Sequence, residues 1–141
     1  SCGSNNDCPM TPRPPSSRRR IYASGAPAAI GPYCHGVLVG DTLYISGQIA
    51  LDPKSGEMIE GDIQEETART LDNIAAVLRE AQMDFDHVVQ VTVFLRDMDD
   101  YALVNEVYAR YFSEATPARE ALEVGKLPRG ARVEVSCIAV R

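Results

Sequence analysis

Long apolar runs are missing from this sequence of 141 residues, so no segment reads as a membrane span. It has no Cys-x-x-Cys. Its two histidines, His35 and His87, lie far apart, as do most of its cysteines, Cys2, Cys8, Cys34 and Cys137, so a structural metal site is not expected. No Gly-x-Ser-x-Gly elbow presents a serine nucleophile, and no glycine-rich phosphate loop occurs. An excess of positive charge is missing too: 14 Lys and Arg face 20 Asp and Glu, for a net charge of −6 and a pI near 4.9. That balance argues against nucleic acid as the main partner, because phosphate binding requires a basic field. A small anionic ligand would have to be attracted locally.

What is present suits one soluble globular domain, with 45% apolar and 24% charged residues. Residues 1–20 stand apart, rich in Ser, Asn, Pro and Arg, and read as a tail or linker ahead of a domain over 21–141. Cys2 followed by Gly-Ser-Asn-Asn resembles the start of a mature bacterial lipoprotein, which would make Cys2 a lipid anchor on an exported protein. The alternatives are a free cysteine in a tail, a Cys2–Cys8 loop in an oxidising compartment, or a cytoplasmic protein. Arg18-Arg19-Arg20 reads as a solvated linker.

From Ile21 the pattern is regular. Val37–Val39 and Leu43–Ile49 predict a hairpin around Gly40-Asp41-Thr42. Asp62 with Glu65 makes a capping box for a helix whose stripe is Ile63, Thr67, Leu71, Ile74, Ala75 and Leu78, fading near Gln82. Val88–Leu95 is a β-branched strand, with Val89, Val91, Val93 and Leu95 on one face and Val88, Gln90, Thr92 and Phe94 on the other. A second helix starts after Asp99 or Asp100, with Tyr101, Val104, Tyr108, Tyr111 and Phe112 as its stripe. Strands at Arg119–Val124 and Arg132–Val140 complete a β-β-α-β-α-β-β order. Two β-α-β units predict parallel neighbours and both helices on one face of a mixed sheet. The other face, which would hold Val88 and Phe94, then needs a cover, and another copy of the chain is the simplest one.

Two charged residues sit at informative places. Period two puts Arg119, Ala121 and Glu123 on one strand face and Glu120, Leu122 and Val124 on the other. An arginine aimed into a pocket would fork two hydrogen bonds onto a carboxylate; otherwise it is a surface ion-pair partner. Glu134 shares a face with Ser136, Ile138 and Val140, so a carboxylate there requires a partner or a task, unless the face is exposed. Tyr33 in the Gly-Pro-Tyr loop offers a phenol or simply packs. Cys34 and His35 are adjacent in an extended segment and point apart, which argues against a nucleophile–base dyad within the pair. Gly47, after Ser46 inside a strand, marks a bulge or a close approach.

The segments APAAIGPY, ISGQI, DPKSGE, TLDNI, VTVFLRDMDDYALVNEVY, TPAR, LEVGKLPRGARVEV and IAV follow one another over Ala26 to Val140. In that order and spacing the chain resembles the reactive intermediate deaminase family (RidA or YjgF-like, formerly L-PSP endoribonucleases or translation inhibitors). The resemblance implies an α+β, chorismate-mutase-like subunit that assembles as a homotrimer with sites in the clefts between subunits. It implies hydrolysis of enamines and imines such as 2-aminoacrylate, 2-iminopropanoate and 2-iminobutanoate to 2-keto acids and ammonia, with no cofactor. Carried over by motif, Arg119 grips the substrate carboxylate, Glu134 lies near the attacking water, and Tyr33 belongs to the reacting centre. Ser46, Gly47, Asn105 and Ala121 bind substrate.

The chain departs from the pattern at Arg119-Glu120-Ala121, where many deaminases of the family read Arg-Ser-Cys, and at Cys34-His35. These changes bear on the preferred side chain rather than the reaction. The chemistry itself asks only that a carboxylate be held and a water placed about 3 Å from an electrophilic carbon beside a proton acceptor. A non-catalytic trimer that senses keto or amino acids would use the same arginine. A ribonuclease or translation inhibitor is disfavoured by the acidic balance and by the lack of a basic patch in the domain.

Overall fold

The computed structural model describes residues 18–141; the tail through residue 17, with Cys2 and Cys8, lies outside the described residues. The chain runs β1 (Arg19–Ile21), β2 (Gly36–Val39), β3 (Thr42–Gln48), α1 (Ile63–Glu80), β4 (Val88–Leu95), α2 (Tyr101–Tyr111), β5 (Ala118–Glu123) and β6 (Val133–Val140). The strands form one six-stranded mixed sheet in the order β1-β2-β3-β6-β4-β5. β1 is an element the sequence pattern did not disclose. Its three residues carry almost no periodicity, and only pairing with β2 reveals it, Arg20 lying opposite Val37.

The hairpin expectation holds: β2 and β3 are antiparallel around Gly40, whose positive φ of 58° suits glycine. The helix expectations hold as well. The Asp62 carboxylate accepts from the Glu65 N–H at 2.8 Å and Glu65 accepts from the Asp62 N–H at 3.4 Å, so the capping box is closed. Leu71, Ile74 and Leu78 are fully buried, and α1 packs on β3, β6 and α2. The core they share includes Val91, Val93, Val133, Val135 and Val104, so both helices cover one sheet face.

Two expectations are corrected. The β-α-β rule predicts parallel neighbours twice. β4 and β5 are such neighbours, but β3 and β4 are not: β6 lies between them, antiparallel to both. Stepping over one strand brings β6 ladder bonds along both its edges, and α1 is long enough to make that crossing. The second correction concerns Val88 and Val89. A register shift between Val88 and Gln90 reverses the alternation there, so Val88 is buried at 3% exposure and Val89 stands out at 48%.

One buried carboxylate ties the layers together. Glu66 on α1, 4% exposed, accepts from the Arg132 N–H at 2.7 Å, the Val133 N–H at 3.1 Å and the Arg132 Nε at 2.8 Å. Arg132 also donates to the Gly61 carbonyl at 2.7 Å. The start of β6 is thereby fixed to the first turns of α1. Glu66→Ala strands two backbone donors and one guanidinium, and should cost about 3 kcal/mol in urea unfolding. A change below about 1 kcal/mol would show that water replaces the carboxylate without loss.

Candidate functional site

Cross-strand partners share a sheet face. Arg119 pairs with Val91, which pairs with Cys137, and that row lies under the helices, with Val91 at 0% and Cys137 at 5% exposure. The next row, Glu120–Thr92–Ser136, lies on the open face, where Thr92 Oγ1 donates to Glu120 at 3.0 Å. Glu134 is opposite Phe94, which is opposite Leu122, so Glu134 is on the open face too. Arg119 and Glu134 of one chain therefore stand on opposite sides of the sheet.

On the helix side, α2 builds a cradle for Arg119. One terminal nitrogen, Nη1, donates to Asn105 Oδ1 at 2.8 Å; the other, Nη2, donates to the Tyr101 hydroxyl at 2.7 Å. The guanidinium carbon lies 4.6 Å from the ring centre of Tyr108 and 5.4 Å from that of Tyr101. Every partner is neutral, and Arg119 has no ion pair among the described residues. The cation is oriented while its charge is not spent. Two of its five N–H donors are used, leaving three for a ligand. Burial pushes the Tyr108 phenol up to about 12, against the lowering effect of Arg119, so it stays neutral. Its hydroxyl makes no hydrogen bond of good geometry among the described residues, although Arg119 lies close enough to lower the phenol. Ala121, two residues along the same strand face, packs against the core.

On the open side the bulge in β3 builds a second cluster. Ile45 pairs with Cys137 but Gln48 with Val135, so Ser46 and Gly47 together oppose a single residue of β6. A Cβ on Gly47 would lie 2.7 Å from Glu134 Oε2 and 2.9 Å from its carboxyl carbon, so the carboxylate rests directly on the glycine backbone. Both consequences foreseen for a glycine inside this strand, a bulge and a close approach, are present. Burial raises the Glu134 carboxyl above its ordinary 4.5. Ser46 Oγ donates to the Cys34 carbonyl at 2.7 Å, fixing the loop that carries Tyr33, itself 43% exposed.

The cysteine and histidine of that loop have separate lives. His35 is buried, taking the Ala23 N–H on Nδ1 at 2.9 Å, so Nε2 carries the proton and donates it to the Pro27 carbonyl at 2.6 Å. Cys34 is partly exposed, and Cys137 is inert, its thiol pushed up to about 12 by burial. Sequence reasoning missed Tyr101 and Tyr108 as Arg119 partners and placed them only in the apolar stripe. Their signal was there: Tyr101, Asn105 and Tyr108 sit at i, i+4 and i+7 on one helix face.

The family model described as "Endoribonuclease L-PSP" matches residues 23–141. A mouse protein named 2-iminobutanoate/2-iminopropanoate deaminase is 49% identical over 88% of this chain and 92% of its own. A RutC family protein of Pyrococcus horikoshii is 46% identical over 86% of this chain and 96% of its own. Among solved structures, the E. coli YjgF gene product superposes with a TM-score of 0.83 at 40% identity, covering 87% of this chain and 98% of that one. E. coli TdcF with bound serine gives 0.83 at 36% identity, over 87% and 98%.

Gly47→Ala isolates the contact beneath Glu134. The obstructing atoms belong to the end of a flexible side chain, so the fold should lose only about 1 kcal/mol while the carboxylate is displaced. A crystal structure of the variant with Glu134 unmoved would refute the close approach.

Proposed function

The chain belongs to the Endoribonuclease L-PSP family, and from that premise we propose that it is an imine deaminase, converting 2-imino acids and their enamine tautomers to 2-keto acids and ammonia. The observation that carries the reading is the Arg119 cradle: a pre-oriented guanidinium with three free donors and no anion of its own fits a substrate carboxylate. Supporting it, relatives at about half identity are named for this reaction, and a relative of similar fold holds serine, a small amino carboxylate.

The reaction needs no covalent intermediate. A water beside Glu134 gives a proton to the carboxylate and its oxygen adds to C2 of the imine, whose nitrogen takes up a proton. The resulting carbinolamine loses ammonia as its hydroxyl proton departs, leaving the C2 carbonyl. Glu134, with its carboxyl raised by burial, is a stronger base than an ordinary carboxylate and suits taking and returning one proton. Ser46, Gly47 and Tyr33 shape the pocket around that water.

Arg119 and Glu134 lie on opposite sheet faces within a chain, so one substrate meets both only between chains. We place the site between the α2 side of one copy and the open face of the next, in a homotrimer. The open face supports an interface: Tyr44 is 50%, Leu122 41% and Val140 37% exposed on it.

Generating 2-aminoacrylate or 2-iminobutanoate in situ, the protein should accelerate keto-acid and ammonia release. Losing a desolvated charge partner costs about 2–5 kcal/mol, so Arg119→Ala should lower kcat/KM by roughly 30-fold to several thousand-fold, with Arg119→Lys recovering only part. No acceleration by the parent would leave the binding-only reading. Glu134 must be ionised to act as base, so kcat should fall as pH drops through a value above that of an ordinary carboxyl, and Glu134→Gln should lose kcat and that limb together. A raised carboxyl stabilises the fold less as pH rises through its folded value, so Glu134→Gln should be at least as stable as the parent at pH 7.

The shared site has its own test. Arg119→Ala and Glu134→Gln, unfolded and reassembled together, should regain activity that neither has alone, because some interfaces then carry both native groups. A monomer by light scattering, or no recovery, would overturn it.

A further inference from the structure

The open-side cluster borders a cavity of about 610 Å³ whose far wall is cationic. Ile21 turns into the core, so alternation along β1 turns Arg18, Arg20 and Tyr22 to the open face. Arg20 pairs with Val37, and Val37 with Tyr44, which keeps this wall continuous with the open side of β3. Arg18, Arg20 and Tyr22 line the cavity together with Tyr33, Cys34 and Ser46. Among the described residues no acid lines it, in a chain with 20 acids to 14 bases. Neither Arg18 nor Arg20 has a salt bridge among the described residues. Glu80, which borders a separate hollow with Arg19 and Arg20, makes none with them.

Two guanidiniums facing one cavity repel each other, and an anion placed between them relieves that cost. The carboxylate common to all 2-imino acids is already provided for by Arg119. The second charge that Arg18 and Arg20 would take must therefore come from the rest of the substrate. Ser46 lines this cavity and is the chain neighbour of Gly47, on which Glu134 rests, so the cationic wall adjoins the reacting centre of that reading and lies within reach of a side chain leaving C2. Tyr22 and Val37 offer that side chain apolar contact on the way. We propose that Arg18 and Arg20 form a side-chain anion subsite, and that the preferred substrates are 2-imino dicarboxylates, the imines derived from aspartate and glutamate. This rests on the deaminase reading.

The test uses the full chain and a flavin amino-acid oxidase to generate 2-iminosuccinate, 2-iminoglutarate or 2-iminobutanoate in situ. The parent should show a higher kcat/KM for the dicarboxylates. Arg18→Gln/Arg20→Gln should lower that value tenfold or more and leave 2-iminobutanoate within twofold. Raising salt should erode the dicarboxylate preference in the parent alone, since exposed charges are screened. Calorimetry with 2-oxoglutarate and 2-oxobutanoate gives a second readout that needs no turnover: the parent should bind the diacid more tightly, and the double variant should not. Hydrolysis of 2-iminobutanoate without a dicarboxylate preference overturns the subsite and leaves the deaminase reading standing. Hydrolysis of no imine overturns that reading, and equal binding of the two keto acids then overturns the subsite too.

Discussion

Antiparallel pairing of β6 with both β3 and β4 is the constraint on which the other features hang. The last strand of the chain occupies the middle of the sheet, and its ladder bonds set the register on both sides. Glu66 anchors its first residues to α1, so the strand cannot slide without stranding buried donors. With β6 held, Glu134 has only one place to be, opposite Phe94 and against the bulge that carries Ser46 and Gly47. A slip of one residue would carry Glu134 into the core beneath the helices.

The molecule keeps its two most informative charges without a salt bridge among the described residues. Arg119 is oriented by an amide, a phenol and an aromatic face. Glu134 rests on glycine backbone, with burial raising its carboxyl. Pairing either with an opposite charge would stabilise the subunit and remove its capacity to hold an anion or to take a proton. Separation by the sheet prevents the two from pairing with each other within a chain. Elsewhere in the subunit, capping, core and turns agree with one another.

Much of the architecture was legible from local pattern. The capping box at Asp62, the stripe Leu71–Ile74–Leu78 and the strand Val88–Leu95 follow from period and propensity, which are properties of neighbouring residues. Less local features were not legible. β1 exists because β2 offers it an edge, and the Val88–Gln90 shift exists because two strands must match. The polar core residue Asn73 was invisible as well. Its Nδ2 donates to the carbonyls of Ile49 and Leu51 at 3.0 Å each, groups more than twenty positions away.

Residue identity alone determined which groups are chemically able to act: a forked cation at Arg119, a carboxylate at Glu134, and a glycine at position 47 where any Cβ would displace that carboxylate. Only the tertiary structure decided that Arg119 and Glu134 stand on opposite faces, that Tyr101 and Asn105 aim the guanidinium, and that Arg18 and Arg20 turn towards the cavity of Tyr33 and Ser46. The physical reason is that period two tells which residues of a strand share a face. It leaves open which strands become neighbours and which side the helices take, and those are settled by burial and by backbone hydrogen bonds between residues distant in the chain.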